Sequence, residues 1–365
     1  MELPLTRRGF LSAGALGVGA LAVGGVLADT LTAEAAVPSY FDVGQSGGDA
    51  FGPVKLSEPD DGWQSMSVDQ VNGRIYYSQA PNRTPGNMRI SYLQGNGATI
   101  SATNYMQFDN FGHGQAIGIE RLTNDTYIWM ECDPPAGSHT GTKFCRVKWR
   151  EHDGHSYTLE EAMKLDGFEM YNLVPDSVGV CCTIDPEGKR LLIRYAPKAH
   201  QYQHHYRVFD LESVKQRKAK TLYPPHSETT LLQHVPATNS NGKPRNFQGM
   251  AIYGDYGYLL TGHEWFVGHG DGAHTQCRPP SGDKGDIHLT VFDLRTGKSK
   301  SARTTAHYTY NYREPEGLAV QLANEPRLLF GIVDEQQCAT YRGNKASDKH
   351  TMSVSYKNVM STKPL

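Results

Sequence analysis

Beyond its first 36 residues, the sequence has no apolar run long enough to span a membrane and few segments that favour a helix. A spanning helix needs about 20 consecutive apolar residues, whereas the mean hydropathy of this chain is −0.53. The best helical candidate is the short stretch 157–164. The remainder alternates short apolar and aromatic segments with turns, which is typical of an all-β protein.

Motifs of nucleotide, acyl-transfer and metal chemistry are also missing. The sequence contains no serine nucleophile elbow, phosphate loop, dinucleotide fingerprint or complete calcium loop. Its Cys and His residues do not form the paired ligand sets of a zinc site. We therefore expect no cofactor and no metal centre, although a structural divalent cation stays open as an alternative.

An excess of either charge is absent as well. Removing residues 1–36 takes away two arginines and three acidic residues, so 34 basic side chains stand against 35 acidic ones. Nucleic-acid binders and polybasic membrane-surface proteins carry a clear excess of Lys and Arg. The sequence therefore excludes both kinds of electrostatic partner.

The first 36 residues have the order of an export signal. Arg7 and Arg8 precede Phe10 and Leu11, an apolar stretch rich in Gly and Ala follows, and small residues surround Ala36. The paired arginines specify the twin-arginine export machinery as a partner. A membrane anchor is the alternative, but the apolar run of about 16 residues is shorter than a spanning helix. We expect cleavage near Ala36 and a secreted or cell-wall-associated protein with no membrane attachment.

Six cysteines in an exported protein permit disulfides, although spacing alone does not fix their pairing. Cys132 and Cys145 flank a turn-rich segment, which favours a bridge across a hairpin. A second bridge, between Cys277 and Cys338, would join loops of neighbouring repeats. The adjacent pair Cys181–Cys182 falls on a predicted strand, where we expect two small buried side chains.

A repeat of roughly 65 residues organises the chain. Each unit begins with a short strand, a turn and a second strand of mixed aromatic and aliphatic residues, and three units continue into a third strand with a similar pattern. The five pairs of strands occupy 64–79, 115–131, 180–195, 248–263 and 316–331.

Four short antiparallel strands repeated about five times predict a single β-propeller. Five blades fit the spacing best, with six or seven blades, or a β-sandwich, as alternatives. The predicted organisation is a signal at 1–36, an N-terminal extension at 37–61 and a monomeric propeller domain at 62–365. In such a fold, the first strand of every unit lines a central channel.

Three motifs resemble those of a known propeller family: Phe111-Gly112-His113-Gly114 with Thr126–Glu131 after it, Phe247-Gln248-Gly249-Met250, and Arg313 to Leu318. The family comprises proteins called teichoic acid biosynthesis protein C and a phage receptor-binding protein. The resemblance extends over all five units and implies a propeller associated with the wall glycopolymers of Gram-positive bacteria. It implies no particular catalytic residues.

The equivalent strand ends of a propeller meet on one face, and here they are polar. This placement predicts a site at the channel mouth, with hydrogen bonding between blades as the alternative role for each residue. His113 lies between two glycines that leave its imidazole room, and Arg194 could clamp an acidic group with two parallel hydrogen bonds. The candidate catalytic residues are His113, His263, Glu131, Glu264 and Tyr195, and the candidate substrate-binding residues are Gln79, Arg194, Gln248, Glu316 and Trp265.

Two functions share an anionic glycopolymer, either teichoic-acid-like or containing uronate, as partner. The first is a lyase or hydrolase. A lyase would use Arg194 to neutralise the acidic group and a His or Tyr to transfer the proton, whereas a hydrolase would use Glu131 and Glu264 as its carboxylate pair. The alternative is a cell-surface protein that binds the polymer without cleaving it. The sequence slightly favours the enzyme.

Overall fold

The computed structural model describes residues 39–55, 62–81, 86–94, 104–151, 153–236, 246–262, 287–307, 314–322, 325–335 and 350–365. They belong to the unit Pro38–Leu365. The expected export signal, residues 1–36, lies outside them. Within these described ranges, no helix has both the length and the apolar character that a membrane crossing requires.

Five sheets, antiparallel except for one parallel strand pair at the edge of blade 1, form the blades of a propeller, which confirms the predicted fold. The chain begins with β1 (Tyr40–Phe41) and β2 (Gly48–Lys55). Blade 1 contains β3 (Gly62–Asp69), β4 (Arg74–Ala80), β5 (Met88–Gln94) and β6 (Met106–Phe108). Blade 2 contains β7 (Gly118–Arg121), β8 (Thr126–Cys132), β9 (Lys143–Lys148) and β11 (Glu169–Tyr171). Between β9 and β11 in the chain, β10 (His155–Tyr157) joins the edge of blade 1 in parallel with β6.

The remaining blades repeat this plan. Blade 3 contains β12 (Ser177–Ile184), β13 (Arg190–Pro197), β14 (His205–Asp210) and β15 (His226–Ser227). Blade 4 contains β16 (Asn246–Tyr253), β17 (Tyr256–Gly262), β18 (Ile287–Asp293) and β19 (Ser299–Thr304). Blade 5 contains β20 (Glu314–Leu322), β21 (Pro326–Glu335), β22 (His350–Lys357) and the N-terminal strand β2, and a last strand β23 (Met360–Ser361) pairs with β1.

The helical segments are short and lie in the connections. They are α1 (Leu159–Ala162), a 3-10 turn (Lys198–His200), α2 (Leu211–Lys215) and α3 (Glu228–Leu231). Thr158 caps α1 through a capping box with Glu161, and Asp210 caps α2. These caps satisfy backbone N–H groups that have no partner in the first turn of a helix.

The sequence forms these hairpins because aspartates close the turns between the first and second strands. In blade 1, Oδ1 of Asp69 accepts hydrogen bonds from the Val71 and Asn72 nitrogens, both at 3.0 Å. In blade 3, Oδ1 of Asp185 accepts from the Lys189 and Arg190 nitrogens at 2.6 and 2.9 Å. Such local bonds are the reason that Asp favours turns.

The hydrophobic core is divided into five sectors, each between two neighbouring blades. Blades 1 and 2 share Tyr76, blades 2 and 3 share Trp129, blades 3 and 4 share Tyr206, blades 4 and 5 share Tyr258, and blades 5 and 1 share Trp63. All five of these aromatic side chains are almost fully buried. The ring of blades is therefore closed by apolar packing at every junction.

The N-terminal segment belongs to the propeller, which corrects the predicted boundary at residue 62. Strand β2 pairs with β22 as the outer strand of blade 5, so strands from the two ends of the chain complete one blade. Upstream of β2, the Phe41 nitrogen donates to the Tyr258 hydroxyl at 3.1 Å, and the Lys300 ammonium donates to Asp42 at 2.7 Å. The two chain ends thus close the ring.

The predicted disulfide between Cys132 and Cys145 is not formed, because both are free, buried thiols. They lie on adjacent strands, but Cys145 is opposite Met130 and Cys132 is opposite Lys143. The two cysteines are therefore offset along the ladder. The pair Cys181–Cys182 is free and buried, as predicted, and the predicted bridge between Cys277 and Cys338 falls on residues outside the described ranges.

Candidate functional site

Three inner strands approach one another closely at one mouth of the channel. A Cβ on Gly249 of β16 would be 2.9 Å from the Leu318 nitrogen, and a Cβ on Gly317 of β20 would be 2.8 Å from the Met66 nitrogen. Both glycines have positive φ angles, +158° and +79°. At each position β16 and β20 contain a β-bulge, and β3 has one between Trp63 and Ser65. Glycine is needed here because any side chain would strike a neighbouring backbone.

This packing brings together the polar residue that precedes the close contact on each strand. Gln64, Gln248 and Glu316 therefore lie around the same mouth, which we call the polar mouth. Gln248 and Glu316 are 6% and 4% exposed, so each presents little surface to solvent. Gln79, another predicted binding residue, is fully buried at the end of β4.

Glu131, the penultimate residue of β8, lies in a cradle of backbone donors. Its Oε1 accepts a hydrogen bond from the Gly114 nitrogen at 2.8 Å, and its Oε2 accepts from the Gly141 nitrogen at 2.5 Å. Burial raises the pKa of the carboxyl group to about 7, although backbone donors that include His113 lower it in part. The group is 1% exposed and joins two loops, so it is not open to a polymer in solution.

The cradle explains the glycines around His113. A Cβ on Gly112 would overlap the Glu131 carboxyl group, and Gly114 has a φ of +76°. His113 itself is half-buried on this loop. Burial first, and then the neighbouring His139, lower the pKa of His113. The imidazole is therefore neutral at neutral pH, and it lies beside a second histidine.

Arg194 forms an internal ion pair. Its Nε donates to Oε2 of Glu228 at 2.7 Å, its Nη2 donates to Oε1 at 3.2 Å, and the Tyr206 hydroxyl donates to Oε2 at 2.5 Å. The guanidinium carbon lies 4.3 Å from the centre of the Phe247 ring. The predicted clamp for an acidic substrate is thus occupied by a carboxylate of this chain.

The ion pair determines the protonation states of Glu228 and His204. Burial raises the pKa of Glu228, but the charge and hydrogen bonds of Arg194 outweigh it and lower that pKa to about 2. Burial, and then the charge of Arg194, lower the pKa of His204 to about 4, although its Nδ1 is 3.8 Å from Glu228. Near neutral pH this cluster contains one cation, one anion and a neutral imidazole.

Tyr195 points away from Arg194, because successive side chains of a strand face opposite sides. Arg194 packs toward blade 4, whereas Tyr195 belongs to the apolar sector between blades 2 and 3. Tyr195 is 8% exposed, and its ring lies 5.7 Å from that of His205. The two residues therefore do not share one site.

Sequence reasoning missed Glu228 and His139. Glu228 lies on α3, in a connection that the repeat does not predict, and no spacing relates it to Arg194. His139 lies in the loop between β8 and β9, whose composition indicated only turns. The candidates His263, Glu264 and Trp265 lie outside the described residues, so their roles stay predictions.

The far ends of the inner strands enclose a small pocket. Its lining includes Ser67, Gln70, Thr183 and Asp185, and it has room for about one water molecule. The hydrogen bonds of the β12–β13 turn already occupy Asp185. Over the described ranges, no group of three or more His, Cys, Asp or Glu side chains is arranged to hold a metal ion.

Solved structures support the architecture. The tail fiber of Staphylococcus aureus phage P68 aligns with a TM-score of 0.57 at 19% sequence identity, covering 88% of this chain and 53% of the fiber. This chain therefore spans about half the length of that fiber. At this identity the likeness shows the fold alone.

A glycoside hydrolase family 43 arabinoxylan arabinofuranohydrolase from Bacillus subtilis gives a TM-score of 0.39 at 10% identity, covering 82% of this chain and 65% of the enzyme. This similarity is too weak to inform function. No curated protein matches the chain.

A family model matches residues 63–337, three quarters of the chain, and its description is a phage 5-bladed beta propeller receptor binding platform domain. The matched range includes the strand pairs of all five blades. The chain belongs to this family of receptor-binding propellers.

Proposed function

We propose that this chain is an exported propeller that binds a glycopolymer of the bacterial cell surface, of the teichoic acid kind, without cleaving it. The observation that carries the proposal is the internal use of the charged groups on which catalysis was expected to depend. Glu131 is enclosed by backbone donors, and Arg194 is paired with Glu228.

Catalysis at either residue would require breaking these contacts. A glycosidase needs one carboxyl group within reach of the glycosidic oxygen, whereas Glu131 has no open path to solvent. A lyase would need Arg194 free to neutralise an acidic group, and releasing it would leave the Glu228 carboxylate partly buried without its main counter-charge. Binding requires neither change.

The family supports the same choice, because its description names receptor binding. Receptors of this kind on a bacterial surface include glycopolymers, and the resemblance to teichoic-acid-associated proteins points to the same partner. The Arg7-Arg8 signal supports export, which would place the propeller where such polymers are found. A monomer is sufficient for this role.

The test is a sedimentation assay with purified full-length chain and insoluble cell walls, before and after chemical extraction of their teichoic acids. We expect the protein to sediment with intact walls and to stay in solution with extracted ones. The same mixtures are assayed for new reducing ends, unsaturated uronate absorbance and released phosphate. Enzymatic release of any of these products would instead establish the lyase or hydrolase.

Export is tested separately by replacing both signal arginines, Arg7→Lys with Arg8→Lys. We expect the wild-type chain in the culture medium or on the wall and the variant inside the cell. Equal export of the two chains would show that the paired arginines are not the address.

A further inference from the structure

Loops of blades 2 and 3 place histidines from distant parts of the chain on one face. His113 precedes β7, His139 lies between β8 and β9, and His204 lies between β13 and β14. In antiparallel blades, the second strand ends at the edge where the first begins, so all three loops emerge at the polar mouth. We call His113, His139, His204 and Tyr202, which precedes His204 by two residues, the histidine corner.

The histidine corner is held by specific contacts. The Glu131 carboxylate joins the loops of His113 and His139 through its bonds to Gly114 and Gly141. The Gly141 carbonyl accepts a hydrogen bond from the Val180 nitrogen of blade 3 at 3.2 Å. The position of a Cβ on Gly179 is 3.7 Å from Nε2 of His204. The bonds of Glu131 and Gly141 therefore link the loops of His113 and His139 to blade 3, where Gly179 lies close to His204.

The histidine corner is polar, and two of its imidazoles offer no charge to an anion. His113 and His204 are neutral at neutral pH, because burial lowers the pKa of each. The buried guanidinium beside them, Arg194, is already paired with Glu228. A neutral imidazole both donates and accepts hydrogen bonds, as a hydroxyl group does.

Tyr202 adds an open aromatic surface. Its side chain is 97% exposed, at the turn that follows the 3-10 segment Lys198–His200. An exposed ring of this kind offers an apolar face and a polar tip, and the C–H face of a sugar ring packs on such a surface. Neutral imidazoles and an open ring on loops that emerge at the same mouth suit a hydroxylated ligand better than an anion.

Resting on the proposed function, we propose that the histidine corner binds the uncharged, hydroxyl-bearing sugar or polyol units of the wall polymer, and not its phosphate or acidic groups. Anionic groups then contribute little to affinity, because His113 and His204 are uncharged and the guanidinium of Arg194 is already paired with Glu228. The affinity of the complex is therefore set by hydroxyl hydrogen bonds and ring stacking.

The experiment measures binding of the full-length chain to purified wall polymer while salt rises from about 50 to about 500 mM, a range that screens exposed charges strongly. We expect the dissociation constant to change less than about twofold, because uncharged contacts are not screened. Neutral sugars and polyols recovered from hydrolysed polymer should compete, whereas inorganic phosphate should not.

Variants locate the site. Tyr202→Ala should weaken binding about tenfold, as loss of an aromatic contact residue typically does, and Tyr202→Phe should retain most of the affinity. His139→Ala should weaken it by a smaller factor. The matched control is His155→Ala, an exposed histidine on β10 at the outer edge of blade 1, which should bind as the wild type does.

The outcomes separate this inference from the proposed function. If the wild-type chain binds no wall polymer, both are overturned. If it binds, but salt or phosphate abolishes binding, or Tyr202→Ala and His139→Ala bind like the control, the proposed function stands and the assignment of the histidine corner is wrong.

Discussion

Blade 2 buries two glutamates, and the two differ in the charge of their partners. Glu120, on β7, accepts hydrogen bonds from Trp129 at 2.9 Å and Arg146 at 2.7 Å on one oxygen and from Lys215 at 3.0 Å on the other. Glu131, on β8, accepts from backbone nitrogens instead. Burial raises the pKa of both, but the cations reverse this for Glu120, whereas Glu131 keeps a pKa of about 7.

The difference shows how one blade uses the same side chain for two purposes. Lys215 belongs to α2 of blade 3, so the ion network of Glu120 joins two blades. The neutral cradle of Glu131 instead shapes the loops that bear His113 and His139. A buried carboxylate with cations acts here as a tie between blades, and one with backbone donors acts as a template for loops.

We expect the largest loss of stability from replacing Glu120, which ties blade 2 to blade 3. Glu120→Ala leaves Arg146 and Lys215 facing each other without their shared counter-charge, and breaking a buried ion pair costs about 3–5 kcal/mol. Chemical denaturation should show this loss in the free energy of unfolding. Glu160→Ala, which removes an exposed partner of Lys164, is the control and should cause no measurable change. A small loss for Glu120→Ala would mean that Glu169 and Glu212, which already pair with Arg146 and Lys215 at 3.0 and 2.8 Å, compensate the two cations.

We expect a smaller loss of stability from replacing Glu131, which holds the two loops, by the neutral Gln. Glu131→Gln keeps the shape of the side chain but turns an NH2 group toward one of the two backbone N–H donors. A buried donor left without an acceptor costs about 1–3 kcal/mol. Denaturation measures the loss, and hydrogen exchange of the Gly114 and Gly141 amides reports whether their loops loosen. Unchanged stability and exchange would show that the carboxylate is not needed to hold these loops.

The pH dependence of stability sharpens the contrast between the two glutamates. The pKa of Glu131 rises from 4.5 to about 7 in the folded chain, so the stability from its protonated form is fully present below about 4.5 and is lost as pH rises through about 7. Subtracting the pH profile of Glu131→Gln from that of the wild type isolates this loss.

The subtraction is needed because His204 changes the free energy of unfolding with pH in the opposite direction. The pKa of His204 is lowered from 6.5 to about 4 in the folded chain. The stability that its neutral form contributes is therefore present above pH about 6.5 and is lost as the pH falls through about 4. A difference profile that is flat between pH 4.5 and 7 would contradict the raised pKa of Glu131.

The sequence predicted the strand pairs of all five blades, because alternating aromatic and aliphatic residues with a turn between them are a local signal. It missed β2, whose partner β22 lies near the other end of the chain. It selected Glu131 and Arg194 as polar residues at equivalent strand ends, yet their partners Gly141 and Glu228 come from connections without a repeat. Such contacts depend on tertiary packing and produce no periodic pattern in the sequence.

The smallest effect is expected at Tyr202, which belongs to neither carboxylate network. Its side chain is 97% exposed, and surface substitutions away from special features change stability by less than about 0.5 kcal/mol. Tyr202→Ala should therefore unfold at the wild-type denaturant concentration. The matched comparison is Tyr206→Phe, which removes the hydroxyl group that donates to Glu228 and should destabilise the chain measurably. If Tyr202→Ala were the more damaging change, the exposed ring would have a structural role, and a loss of polymer binding by that variant could not be assigned to a lost contact.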